Sequence, residues 1–426
     1  MMIELLCERF GISHAVRDAA LLAYERVRDI RYEAQARVKA NVLAAFFDEG
    51  VDESDLAGST GYGYDDAARE RYESLLARIF ECERVLARLS FVSGTHAIVT
   101  ALAACVPAGK TLLSITGRPY DTLRNAITQA PHNLVKGGIG YKEVALSDTY
   151  DTATPYDLDA IAQELADPKI AAVFVQRSRG YAPRPSVDIA ACERAFDVIK
   201  ARRPDVAILV DNCYGELVED REPTHAGADL VMGSLIKNLG GTLAPAGGYV
   251  AGRADLVERV AARLYAPGLG DALGPTLGFG RSFIQGLFIA PLVIEQTLRG
   301  LDFAAALFAQ LGYGVDPLPG AFRTDIVQAI RLGNADRLIR FSQALQTAMP
   351  VNARFRPEPG SVPGYVDKVI MSSGAFIGGA TIELSCDAPL REPYEVYLQG
   401  GMIAEHAMAG ALRAAQAVAG SEVPKD

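Results

Sequence analysis

Between about residues 89 and 250 the chain repeats one pattern: a short apolar run, a helical stretch, then another apolar run. The runs are LSFV (89–92), TLLSIT (111–116), KEVAL (142–146), AAVFVQ (171–176), VAILVD (206–211), LVMGS (230–234) and GGYVAG (247–252). Several show no polar alternation. A strand covered by helices on both faces has no solvent side to require it, so such runs belong in a buried, mainly parallel sheet. The alternation predicts a doubly wound α/β layer. Layers of that kind bind ligands outside the carboxyl ends of their strands, so the residues just after each run are where chemistry is expected.

The flanks are organised differently. Residues 1–50 read as helix, with Ala15 to Phe47 free of proline. A polar, Gly-rich loop, DESDLAGSTGYGYDD (52–66), and a second helix over about 66–88 follow. After the Gly/Pro-rich YAPGLGDALGPTLGFG (265–280), a long apolar helix is expected over about 282–311 and a final helix over about 396–419. The expected organisation is an N-terminal helical arm (1–55), a large domain (56–285) and a small C-terminal α/β domain (286–426).

Composition sets limits. The 426 residues are enough for two or three domains. Forty-two Lys and Arg against 52 Asp and Glu leave a net charge of −10. That argues against nucleic acid or an anionic membrane as partner, since both need a basic face. The longest apolar stretch, GLFIAPLVIEQTL, is cut by Glu295 and Gln296, so no membrane span is expected. The start, MMIELLCERFGIS, has no cationic n-region and does not read as a secretion signal. The six cysteines form no C-x-x-C pair and read as buried thiols, which fits a cytoplasmic protein. Five scattered histidines give no basis for a metal site. PAGKTLL (107–113) lacks the glycine spacing of a phosphate loop, and neither HExxH nor GxSxG occurs.

Five segments after strands carry chemistry. In VDNCYGEL (210–217) Asp211 ends an apolar strand, where an acid is costly unless paired or hydrogen-bonded. In SLIKNLGG (234–241) Ser234 ends the next strand, and Lys237 follows three residues later. A lysine, a carboxylate and a hydroxyl on neighbouring strand ends suit pyridoxal phosphate: the lysine forms a Schiff base, the acid protonates the pyridine nitrogen, and the serine donates to the phosphate. A surface lysine and a helix-capping aspartate fit the same spacing about equally well. In SGTHAI (93–98), Ser93, Gly94 and Thr95 open a helix whose first N–H groups can hold an anion. Taken alone, an ordinary N-cap explains them more simply. After the next strand, Tyr120 or His96 could stack on a flat ring, or Tyr120 could pack locally. Arg177, Arg179 and Arg184 in VQRSRGYAPRPS (175–186) could hold a carboxylate or phosphate, or form a solvated loop.

Together SGTHAI, TGRPYDTL, QRSRGY, VDNCYGEL, SLIKNLGG and LSCDAPLREPYEVYLQGG (384–401) resemble the fold-type I pyridoxal phosphate enzymes. The chain is most similar to the methionine gamma-lyase-related, or aluminium resistance, group, which is cystathionine beta-lyase-like. The motifs are spread in order over most of the chain. The resemblance implies the fold-type I transferase fold, a mainly parallel large domain with a small C-terminal α/β domain. It makes Lys237 the Schiff-base lysine and Asp211 the pyridine partner. Gly94, Thr95, Ser93 and Ser234 would bind the phosphate, and Tyr120, with His96 second, would stack on the ring. Better-known C–S lyases of this fold send a Tyr-x-Arg loop into a neighbouring subunit. Here the loop reads Tyr62-Gly63-Tyr64, so Tyr62 carries over to the cofactor and Tyr64 to the substrate side, without the arginine. The arginine those enzymes keep on a late strand is missing from TIELS (381–385), and Arg391 is the substitute expected to bind the substrate carboxylate, with Arg179 also at the substrate. The implied activity is β- or γ-elimination of a sulfur-containing amino acid to a 2-oxo acid and ammonia, in a homodimer or homotetramer with shared sites. A retro-aldol C–C lyase, an aminotransferase and a non-catalytic cofactor-binding protein are the alternatives.

Overall fold

The computed structural model describes residues 1–147 and 154–419. They form two units, Met1–Gln35 with Ala290–Asp426, and Ala36–Ile289. Helices α1 (Met2–Phe10) and α2 (His14–Val27) open the first unit, and α3 (Glu33–Glu49) spans the division. The single helix read over Ala15–Phe47 is therefore two. The break at 28–32 lets the Tyr32 hydroxyl donate to the buried Asp302 carboxylate at 2.6 Å, which the Arg323 guanidinium also holds at 2.9 Å.

The large unit continues with α4 (Ala67–Ile79), β1 (Arg84–Arg88), α5 (Gly94–Cys105), β2 (Thr111–Ser114), α6 (Asp121–Arg124), β3 (Gly140–Glu143), α7 (Leu158–Glu164), β4 (Ile170–Gln176), α8 (Ile189–Arg202), β5 (Ala207–Asp211), β6 (Leu230–Ser234), β7 (Gly248–Gly252) and α9 (Ala254–Leu264). Its seven strands lie in the order β1-β7-β6-β5-β4-β2-β3. β3, β2, β4, β5 and β6 run parallel, and β7 is antiparallel to both β6 and β1. Leu112, Phe174, Leu209, Met232 and Val250 from five strands form one core with Ile98 and Leu102 of α5 and Val257 and Val260 of α9, all fully buried. This is the mainly parallel, doubly wound layer expected from the apolar runs, and it places the ends of β5 and β6 side by side.

Two strands lie elsewhere than the hydropathy indicates. β3 is GYKE (140–143), so most of KEVAL (142–146) lies beyond it. LSFV (89–92) is a turn leading into α5, and the edge strand is the preceding RVLAR. Arginines at both ends disguise it. Arg88 is nonetheless buried, ion-paired with Glu73 and donating to the Asp271 carbonyl at 3.0 Å. Glu73 also accepts from the Ala87 N–H at 2.7 Å.

α10 (Gly280–Gln310) crosses between the units. The C-terminal unit then forms β8 (Gly314–Asp316), β9 (Val327–Arg331), α11 (Ala335–Gln346), β10 (Val369–Ser373), β11 (Ser385–Pro389), β12 (Glu395–Gln399) and α12 (Ala404–Val418). Its five strands pair antiparallel in the order β10-β11-β12-β9-β8. The helix expected over 396–419 is a strand followed by a shorter helix. Gly400 (φ 73°) and Gly401 (φ 138°) separate them with backbone that other residues rarely adopt. The strand expected over 381–385 begins only at Ser385. The first two helices pack on α12 of their own chain, with Gln416 accepting from the Ser13 N–H at 2.8 Å and the Arg413 guanidinium over the Phe10 ring. They thus group with the C-terminal unit, while 36–55 group with the large one, instead of forming a separate arm. Among the described residues no helix is long and apolar enough to cross a membrane.

Glu73→Ala should strand the buried Arg88 charge and cost about 3–5 kcal/mol in equilibrium urea unfolding. The double replacement Glu73→Leu, Arg88→Met should recover most of that loss.

Candidate functional site

β5 and β6 pair in parallel through Leu209–Asp211 and Leu230–Met232, so Asp211 and Ser234 end adjacent strands. Asp211 is buried. Its Oδ1 accepts from the Cys213 N–H at 3.0 Å, and its own carbonyl accepts from the Arg177 N–H at 3.1 Å. Burial pushes its carboxyl pKa up, and the nearby Lys237 charge pulls it back. Lys237 is half-buried just beyond β6. Burial by itself disfavours its charge, yet the Cys213 thiol, the Tyr214 phenol, Asp211 and the Tyr120 phenol together hold its pKa well above the ordinary lysine value. Its Nζ lies 3.8 Å from the centre of the Tyr214 ring. The segment after it is tightly packed: at Gly241, φ 49°, an added Cβ would sit 2.1 Å from the Gly286 carbonyl oxygen.

The start of α5 faces the same strand ends. Ser93 caps the helix, its Oγ accepting from the His96 N–H at 3.1 Å. The Gly94 and Thr95 N–H groups belong to the first turn, which has no intrahelical acceptors. A Cβ on Gly94 would lie 3.0 Å from the Ser234 Cβ and 3.5 Å from the Cys213 Sγ, so only glycine lets the helix start approach this closely. Thr95 Oγ1 and the Tyr120 hydroxyl are 2.9 Å apart, and Gln176 at the end of β4 accepts from the Tyr120 N–H at 2.9 Å. Burial, followed by the nearness of Asp211 and Cys213, raises the Tyr120 phenol pKa. Lys237, Asp211, Ser234, Tyr120 and the Ser93–Thr95 turn are thus brought to one sheet edge.

The remaining residues singled out from the sequence are placed differently. His96 accepts from the Val92 N–H at 3.3 Å and meets the Phe91 ring edge-on. Tyr62 and Tyr64 are 74% and 57% exposed, in a loop whose Gly63 and Tyr64 carbonyls accept from the buried Arg69. Arg177 is neither solvated nor open to a ligand: it is fully buried, donating to Asn212 and paired with Glu219. Arg184 donates to the Gln176 and Ser178 carbonyls at 3.0 and 2.6 Å. Arg179 is buried, its N–H donating to Ser186 Oγ at 3.1 Å. Arg391 belongs to the C-terminal unit and pairs with Asp367 at 3.0 Å.

The sequence reading missed the residues that follow Asp211. Cys213 and Tyr214 lie near Lys237, and Asn238 donates from Nδ2 to the Tyr214 and Glu216 carbonyls at 3.0 and 2.9 Å. Glu216 is fully buried. Its Oε1 accepts from the Tyr249 hydroxyl at 3.0 Å, and Oε2 has no partner among the described residues. Burial is the main cause that pushes its pKa up to about 8. A Cβ on Gly233 would lie 2.6 Å from both Glu216 Oε1 and the Tyr249 ring, which explains a glycine inside a central strand. The only cue was position: these side chains share a loop with Asp211.

The methionine gamma-lyase family matches residues 14–419. The chain belongs to that family. It has the fold-type I architecture of pyridoxal phosphate-dependent enzymes and is a lyase by family membership. Protein YnbB of Bacillus subtilis is 42% identical over 384 residues, spanning 88% of this chain and 89% of its own. The crystal structure of a carbon-sulfur lyase involved in aluminium resistance from Clostridium novyi NT superposes with a TM-score of 0.90 at 38% identity, covering 97% of this chain and 98% of that one. A cystathionine gamma-lyase from yeast, 19% identical with a TM-score of 0.58 over 83% of this chain and 86% of its own, shares the fold. The site fits pyridoxal phosphate on its own chemistry: an amine beside a buried carboxylate, a ring-sized phenol, and a helix start kept open by Gly94. Among the described residues no cluster of side chains could hold a metal ion.

The folded chain keeps the Glu216 proton up to about pH 8, whereas an unfolded one releases it near 4.5. Stability from this residue should therefore fall as pH rises through that window, by up to about 1.4 kcal/mol per pH unit, and level off above it. Urea unfolding from pH 5 to 9 should show Glu216→Gln with a flatter profile than the parent chain; parallel profiles would contradict the assignment.

Proposed function

We propose that this protein is a pyridoxal phosphate-dependent lyase that breaks a carbon–sulfur bond in a sulfur-containing amino acid, releasing a 2-oxo acid and ammonia. The observation that carries the reading is the meeting of Lys237, Asp211 and the α5 start at one sheet edge, in a chain matching the methionine gamma-lyase family along nearly its whole length. The carbon-sulfur lyase from Clostridium novyi supports the bond type.

Bound pyridoxal phosphate supplies an electron sink for the negative charge that develops at the substrate Cα. Lys237 is the amine that tethers it, and Asp211 holds a proton on the pyridine nitrogen. The Gly94 and Thr95 N–H groups, with the Ser93 and Ser234 hydroxyls, would hold the phosphate at the positive end of α5. Tyr120, fixed by Thr95 and Gln176, would stack on the ring, with His96 at the same helix start. The freed Lys237 amine takes the proton from Cα as general base and returns a proton to the departing sulfur. Loss of sulfur from Cβ needs that one abstraction. Loss from Cγ needs a second, at Cβ, and Lys237 is the base for both.

Arg391 and Arg179 are assigned to the substrate carboxylate. The exposed Tyr62 and Tyr64 are assigned to the site of a neighbouring copy, which makes the working form a homodimer or homotetramer.

Incubation with methionine, cystathionine and cysteine, following 2-oxo acid, thiol and ammonia together, should show the three products in equal amounts from at least one of them. Lys237→Ala should reduce the rate by about 10³-fold or more. Release of an aldehyde from hydroxylated amino acids, with no turnover of any sulfur amino acid, would overturn the reading.

A further inference from the structure

The loop after Asp211 holds two non-glycine residues in left-handed backbone, Tyr214 at φ 74° and Leu217 at φ 60°. A bulky side chain in that region is costly and persists only where its surroundings fix it; such outliers concentrate at working sites. The fixing contacts are specific. Asn238 donates to the Tyr214 carbonyl at 3.0 Å and to the Glu216 carbonyl at 2.9 Å. Asn238 follows Lys237 directly, so the segment that carries the amine also grips the residue whose ring lies against it. On the far side, Glu216 is anchored by Tyr249, and Leu217 donates its N–H to Glu222 at 2.8 Å. Asn212 is held between Arg177 and Glu222. The outcome is a phenol ring with its centre 3.8 Å from Lys237 Nζ, well within the range of a cation–π contact.

We propose that Tyr214 is a positioning residue for Lys237, whose ring face orients the amine and stabilises it whenever it carries a proton. This rests on the reading of Lys237 as the tethering amine and general base. In proton abstraction the Cα–H bond breaks, its electron pair stays with the carbon, and a new N–H bond turns the amine into an ammonium. The ring meets a full positive charge only after that transfer, so the contact favours the later state over the earlier one. Asp211 from the end of β5, Cys213 beside Tyr214 and Tyr120 from the segment after β2 face the same amine. They set its baseline proton affinity, and the ring adds to it.

The test changes the ring's charge distribution and not its shape. Tyr214 is replaced by Phe and then by phenylalanines carrying one, two and three fluorines, so a failure to fold is not built into the series. In the full-length chain without cofactor, lysines are reductively ¹³C-methylated, and the Lys237 signal, identified by its loss in Lys237→Arg, is titrated by NMR. Phe removes the hydroxyl, one of the groups that raise the Lys237 pKa, and sets the reference of the series; from that reference the midpoint should fall stepwise by about one pH unit at three fluorines, a tenfold loss of proton affinity. In the loaded enzyme, the deuterium isotope effect of α-deuterated substrate on kcat should rise in the same order. A flat series in both readouts overturns the proposal and leaves Lys237 as the amine. Retention of the cofactor's visible absorbance in Lys237→Ala would instead sink the reading of Lys237 on which the proposal stands.

Discussion

Asp211 and Lys237 lie at the ends of neighbouring parallel strands, and neither would keep its charge there alone. Burial works against both, as it must where water is excluded. Lys237 and the Cys213 N–H compensate the acid, and the Cys213 thiol, the Tyr214 phenol and Asp211 compensate the amine. That mutual dependence constrains the structure around it. β5 and β6 must be adjacent and in register, and the lysine loop must turn back tightly enough to stay near the strand end. Gly241, packed on the Gly286 carbonyl, makes that turn possible. Gly94 brings the start of α5 onto Ser234 by the same device. The site is a consequence of close backbone approach as much as of its charged residues.

A second layer of buried polar groups stands behind this pair. Arg177, Asn212, Glu219 and Glu222 form a connected network under the loop after Asp211. Glu216 and Tyr249 form another, seated on Gly233. Both are expensive unless their members find partners. Their effect is to hold residues 212–217 in a conformation they would not adopt unaided, with Tyr214 and Leu217 in left-handed backbone.

The parallel layer was legible because apolar runs buried on both faces leave an unmistakable pattern. Lys237, Asp211 and Ser234 could be singled out because each ends or closely follows such a run, whereas the Ser93–Thr95 turn was singled out after LSFV, itself a turn. What escaped notice did so for physical reasons. β1 ends in arginines, and hydropathy cannot tell that Arg88 is buried on Glu73. Arg177 looked like part of a basic loop because its carboxylate partner lies 42 residues further on. Tyr214 gave no signal, since a positive φ at a tyrosine is imposed by tertiary contacts and not by local preference. The packing of α1 and α2 on α12 is likewise a pairing of distant segments that no local pattern records.

The central claim is that one lysine, at the end of β6, carries the cofactor. The direct measurement is borohydride reduction of the loaded enzyme, followed by proteolysis and mass mapping of the phosphopyridoxyl group. The claim predicts the group on the peptide containing Lys237 and on no other lysine. A label on a different lysine, with Lys237 unmodified, would contradict it.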